Sequence, residues 1–141
     1  MNELIITPNK GVGPISFGMT REEVRNVLGG NVVEYKKMPM SDTFTDAFND
    51  HGIHIYYDSN DTCEAIEMAL PADPEFSHKH MIGRPFSELK STIISQDSDV
   101  ELDRTGLLSF PLGIGLFVPG LEDSEDSLVE SVIVFKEGYY E

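Results

Sequence analysis

The feature that most limits what this chain can fold into is the alternation of apolar and polar residues in short runs that are cut off by turn residues. Ile53, Ile55 and Tyr57 alternate with His54 and Tyr56, and Ile66, Met68 and Leu70 alternate with Ala65, Glu67 and Ala69. A period of two puts each set on its own side of a strand. Asn49-Asp50-His51-Gly52 and Asp58-Ser59-Asn60-Asp61 divide the runs with the residues that turns favour. Two runs precede them. Val32 to Lys37 carries Val33 and Tyr35 on one side, and Thr43 to Phe48 puts Phe44 and Phe48 together. Four such strands on short turns predict an antiparallel meander with one buried face.

Ahead of the meander, Thr20 and Glu23 stand at the spacing of a capping box, with Met19 and Val24 at the staple positions. Val24, Val27 and Leu28 would line one side of a short helix, Arg21, Glu22 and Arg25 would face water, and Gly29-Gly30 supplies the exit. Residues 3–7 suit a short strand, and Pro8 to Pro14 is a turn-rich connector.

After Pro71-Ala72-Asp73-Pro74 the programme starts again. Aligning Gly18 with Gly83 pairs Glu23 with Glu88, Val24 with Leu89 and Leu28 with Ile93, so a second helix is expected from about Pro85 to Ile94. Gly52 to Tyr57 then matches Gly113 to Val118, and Ala65-Ile66-Glu67-Met68 matches Ser131-Val132-Ile133-Val134. Residues 99–104 and 106–110 fill the places of the first two strands. The run Val129 to Phe135 is apolar on both faces, as in a central strand. The expected fold class is α+β: tandem helix-plus-four-strand repeats forming one antiparallel sheet with helices on one face. Residues 1–141 would make a single domain built of two repeats, about 1–70 and 71–141, each marginal alone.

The stretch Phe17-Gly18-Met19-Thr20-Arg21-Glu22-Glu23-Val24, continued by Leu28-Gly29, resembles the opening motif of the small SmpA/OmlA outer-membrane lipoproteins. The tandem layout is similar to the β-lactamase-inhibitor-protein-like fold of that superfamily. This resemblance implies a protein-binding module. The chain departs from the lipoproteins in having no signal peptide and no lipid-attachment cysteine near its start. In kind, though not in motif, it is also similar to the small acidic immunity proteins that accompany bacterial toxins.

Charge points the same way. The formal net charge is −15, with acids spread along the whole chain. Such a field repels nucleic acid and anionic membrane and draws in cations, so the expected partner is a basic protein, with no nucleic acid and no membrane. A homo-oligomer is also compatible with the sequence. The lone Cys63 and the lack of a long apolar segment predict a soluble, cytoplasmic protein.

Catalytic signatures are missing. Gly11-Val12-Gly13 is neither a dinucleotide fingerprint nor a P-loop, and Asp58 to Asp61 lacks the glycine and terminal glutamate of a calcium loop. The expectation is no enzyme and no cofactor. The alternative is a small metal-dependent ligand-binding protein or enzyme that uses His78, His80 and the acidic run Glu122 to Asp126. The leading site is instead a protein-binding one. Tyr56 and Phe117 hold matching places in the two aligned strands, on the side opposite the core, with His54 and Glu67 near Tyr56. Aromatics there either pack across neighbouring strands or form a binding surface ringed by charge.

Overall fold

The alternating runs become strands. A computed structural model of the chain describes residues 3–36, 38–41 and 43–140, so Lys37, the last position of the strand expected from Val32, lies outside the described residues. In chain order the elements are β1 (Ile6–Thr7), β2 (Gly11–Val12), β3 (Ile15–Ser16), α1 (Arg21–Leu28), β4 (Val33–Tyr35), β5 (Thr45–Phe48), β6 (Ile53–Tyr57) and β7 (Cys63–Ala69). They continue with β8 (Glu75–Phe76), β9 (Lys79–His80), α2 (Phe86–Ile94), β10 (Glu101–Asp103), β11 (Gly106–Ser109), β12 (Ile114–Phe117) and β13 (Ser131–Phe135). The large sheet has eight antiparallel strands in the order β10-β11-β12-β13-β7-β6-β5-β4. Its middle is the β13–β7 pair, with Val132 opposite Met68 and Ile133 opposite Glu67.

The α+β expectation of tandem helix-plus-four-strand repeats does not hold. The chain is mostly β, 12% helical against 37% strand, and among the described residues its helices are two short ones. The difference lies in the connectors. Residues 6–16 fold into a separate three-stranded sheet, β1-β2-β3, and residues 75–80 form the β8–β9 hairpin. These strands are two residues long, too short to show any period, and are set by turns and pairing instead. They send Ile6, Val12, Ile15 and Phe76 into the same core as Val24 of α1 and Phe86, Leu89 and Ile93 of α2. The layer over the sheet is therefore a mixture of small sheets and helices, and not a pair of helices.

The sheet's inward face supplies Ile53, Ile55 and Tyr57 from β6, Ile66 and Met68 from β7, Ile114 and Leu116 from β12, and Val132 and Val134 from β13. Burying each of these aliphatic side chains stabilises by about 1.5–3 kcal/mol. Cys63 is in the same core, and burial pushes its thiol up to about 12, so it is protonated and inert at neutral pH.

The two helices are anchored differently. On α1 the capping box forms as expected, with the Thr20 hydroxyl accepting from the Glu23 N–H and the Glu23 carboxylate accepting from the Thr20 N–H. Yet Val24 is its one fully buried side chain, and Val27 is exposed. One buried valine cannot by itself offset the backbone entropy of eight residues at about 1 kcal/mol each. Leu28 packs partly against the core, and Arg21 and Arg25, which do not simply face water, add polar anchoring. Asp46 is 0% exposed on the inward side of β5. Arg21 Nη1 donates to Asp46 Oδ1 at 2.8 Å, Arg25 Nε donates to Oδ2 at 2.9 Å, and the Tyr57 hydroxyl donates to Oδ2 at 2.9 Å. The Arg21 guanidinium also lies over the Tyr57 ring, 4.1 Å from its centroid.

Helix α2 has no side-chain cap of its own. Its free N–H groups are met by the acidic loop: Phe86 donates to the Ser127 carbonyl and Ser87 to the Glu125 carbonyl, both at 2.8 Å. The Ser87 hydroxyl reaches Asp126, and Lys90 pairs with Glu125. Two members of the acidic run thus serve the helix start, where negative charge is favoured.

Burial pushes the Asp46 carboxyl up, but the hydrogen bonds from Arg25 and Tyr57 and the two positive charges outweigh it and hold it below its ordinary value. A depressed carboxyl stabilises the fold above its unfolded pKa of about 4, and that stability drains away as pH falls through the lower folded value. Asp46→Asn is expected to destabilise by about 3 kcal/mol at pH 7, since it strands two arginines around a neutral amide. Urea denaturation at pH 7 and at pH 3 checks both statements, because the gap between wild type and variant should narrow at the lower pH.

Candidate functional site

The outer face of the sheet is built from the residues that alternate with the core set. Across the strands, one row runs Ala47, His54, Glu67, Ile133, Gly115, Leu108, and the next runs Ala69, Ser131, Phe117, Gly106. Size variation along these rows gives the face its relief. Ala69 and Ser131 are small, while His54, Glu67 and Phe117 stand around them. The result is a hollow of about 410 Å³ lined by Asn49, His54, Glu67, Leu70, Phe117 and Glu130 over a floor of Gly52, Ala69 and Ser131.

A second hollow of about 200 Å³ continues it towards β10 and β11. Glu67, Phe117 and Ser131 line both, so they mark the saddle between them. Gly115 keeps the second one open, because a Cβ there would come within 2.8 Å of both Ile133 Cγ2 and Leu108 Cδ2. Among the described residues neither hollow is lined by a lysine or arginine, and the charges along them are the carboxylates of Glu67, Glu130 and Asp103.

Three of the four residues expected at the site, His54, Glu67 and Phe117, come together in the first hollow. Tyr56 has a different place. It is 8% exposed and packs with Ala65 and Phe135 in a small second cluster on this outer face, with Leu108, Ile133 and Tyr139 against it. Its hydroxyl donates to Glu67 Oε1. Burial first, and then the bond to Glu67, push the phenol far above its usual value, so it remains a donor at every accessible pH. Tyr56 thus holds the Glu67 carboxylate in place from below. His54 is fixed in a similar way, its Nδ1 lying 2.9 Å from the Tyr35 hydroxyl.

Phe117 is the outward aromatic, 41% exposed. Leu70, expected to continue the buried side of its strand, is 75% exposed at the rim. The strand ends one residue earlier at Ala69, and the signal for this was Pro71 directly after Leu70. Asn49, Glu130 and Ser131 were not foreseen, since they flank turns or strand starts that carry no pattern of their own. The far end of the face is covered by the chain's last described residues. Tyr139 packs against Phe135 in a tilted pair and Tyr140 edge-to-face, at centroid distances of 6.0 and 4.8 Å.

The residues of the alternative reading are dispersed. His78 has a left-handed backbone in the β8–β9 turn, so it does not share a strand face with His80. The His80 ring lies between Asp73 and Glu75, and the acidic run is engaged at α2. Among the described residues no group of three or more His, Cys, Asp or Glu is placed to hold a metal ion. Asp58 closes its own turn, accepting from the backbone of Asn60 and Thr62 and from the Thr62 hydroxyl. Among the described residues no helix is long and apolar enough to cross a membrane.

Comparison with protein-family models, with curated proteins and with solved structures returns no match for this chain.

The two outer aromatics are expected to separate by their effect on stability. Tyr56→Phe, which strips the hydroxyl from a buried charge-assisted hydrogen bond, should cost about 1.5–3 kcal/mol. Phe117→Ala should cost less than about 1 kcal/mol, because the ring is already half in water. Chemical denaturation of both variants checks the order, and a larger loss at Phe117 would reverse these assignments.

Proposed function

We propose that this chain is a non-catalytic protein-binding module of the immunity or inhibitor kind, and that the outer face of its large sheet receives a basic protein. The observation that carries the reading is the hollow where His54, Glu67 and Phe117 converge. It combines an exposed aromatic and an exposed Leu70 with carboxylates, and no lysine or arginine among the described residues lines it. Apolar anchors within a charged rim are the composition of protein interfaces. The charge of −15 adds long-range attraction for a cationic partner and accelerates encounter.

The motif resemblance to SmpA/OmlA proteins supports the same class of function. The reading includes a cytoplasmic site of action, supported by the single buried thiol. It involves no cofactor, no nucleic acid and no membrane.

The test is to block the face sterically. Ser131→Trp puts a bulky ring on the floor of the hollow, and Asn26→Trp puts the same ring on the exposed side of α1 as a control. In affinity capture from the source cells at low salt, the wild type and Asn26→Trp should retain the same basic protein, and Ser131→Trp should lose it. Raising the salt should release it by screening. Capture that survives Ser131→Trp but fails with Asn26→Trp would move the interface to the other side of the molecule. No basic protein retained by the wild type at low salt would end the proposal.

A further inference from the structure

We propose that the hollow between Phe117, Glu67 and Glu130 is a receptor for one arginine side chain of the partner. This rests on the protein-binding reading and names the group that the face recognises. The argument begins with the walls. Phe117 and Glu67 sit on β12 and β7 with β13 between them and two positions apart along the strands, so their backbones are about 12 Å apart on the diagonal. The floor is made of the small residues Gly52, Ala69 and Ser131, which leaves room for a long, thin side chain to lie flat. The aromatic wall offers a ring whose face attracts a cation, and the opposite walls offer carboxylates.

The acceptors favour a guanidinium over an ammonium. Glu67 Oε1 is occupied by the Tyr56 hydroxyl, which leaves the other oxygen of that carboxylate for a ligand and fixes its direction. Glu130 is a second, separate acceptor on the same rim, and the Ser131 hydroxyl and the Asn49 amide are further ones. Five donors in a planar fork can meet several fixed acceptors at once while the plane stacks on Phe117. A compact, strongly hydrated ammonium can meet one or two of them and gives up more hydration to do so. Because Tyr56 already orders Glu67, part of the entropic cost of holding the carboxylate is met in the free protein.

The experiment uses the whole chain and a simple probe. An acetylated, amidated Gly-Gly-Arg-Gly-Gly peptide is titrated into the isotope-labelled protein and followed by backbone amide shifts, with citrulline and lysine versions in parallel. The arginine peptide should produce saturable shifts concentrated at Glu67, Phe117, Glu130 and Ser131. The neutral citrulline isostere should give none. Phe117→Ala and Glu67→Gln should each weaken binding by about three- to fivefold, the range expected of one exposed cation–aromatic or ion-pair contact. Unchanged amide spectra away from the hollow show that both variants are folded.

Shifts spread evenly over the acidic surface, equal binding of the citrulline or lysine peptide, or indifference to both substitutions would overturn the proposal. The two readings fail separately. If Ser131→Trp abolishes capture of the basic partner while the arginine peptide gives no localised shifts, arginine recognition falls and the protein-binding face stands. If capture is also unaffected, both fall.

Discussion

The antiparallel pairing of β13 with β7 is the contact on which the rest of this structure depends. It joins two sets of four strands, residues 33–69 and 101–135, into one continuous sheet through five consecutive residue pairs from Ser131–Ala69 to Phe135–Ala65. Both strands are buried on the inward side by Ile66, Met68, Val132 and Val134. The same pairing sets the outer side. Glu67 stands opposite Ile133 and Ala69 opposite Ser131, so the candidate hollow exists only because this register brings β6, β7, β13 and β12 side by side. A slip of one residue would turn Glu67 inward and Met68 outward, at the cost of a buried carboxylate and an exposed thioether.

The two faces of the sheet are used unequally. One is covered by α1, α2 and the small sheets β1-β2-β3 and β8-β9, whose side chains fuse into a single apolar core. The other is closed at one end by Phe135, Tyr139 and Tyr140 and open at the other, where Phe117, Leu70 and the carboxylates meet solvent. Monomeric surfaces seldom leave an aromatic and a leucine together at the rim of a hollow without a use for them.

Charge does two jobs in this molecule. Inside, Asp46 joins Arg21 and Arg25 of α1 to β5 and so holds a helix that has little apolar surface of its own. Outside, the acids at the rim of the hollow have no lysine or arginine lining it among the described residues. The first use neutralises charge locally, whereas the second leaves a field directed at whatever approaches the face.

Much of this was legible in the chain. Period-two alternation placed β6 and β7 and divided their residues correctly between faces, because burial on one side of a strand must show as a period of two, while a run apolar on both faces marked β13 as a central strand. Thr20 and Glu23 marked the start of α1, because a capping box is satisfied within four residues. The inward place of Asp46 and its partners could not be read off, since Arg21 and Arg25 lie more than twenty residues away and meet it only when the helix docks. Of the small sheets in the mixed covering layer only a short strand within residues 3–7 was foreseen, for the opposite reason: two-residue strands such as Gly11–Val12 and Glu75–Phe76 carry no pattern and exist only through their pairing. The same divide separates the outer aromatics. Sequence determined that Tyr56 and Phe117 both point away from the core, and only tertiary structure decided that Tyr56 is sealed beneath Phe135 and Tyr139 while Phe117 stays open, because whether a neighbour covers a side chain depends on residues that are distant along the chain and close only in the fold.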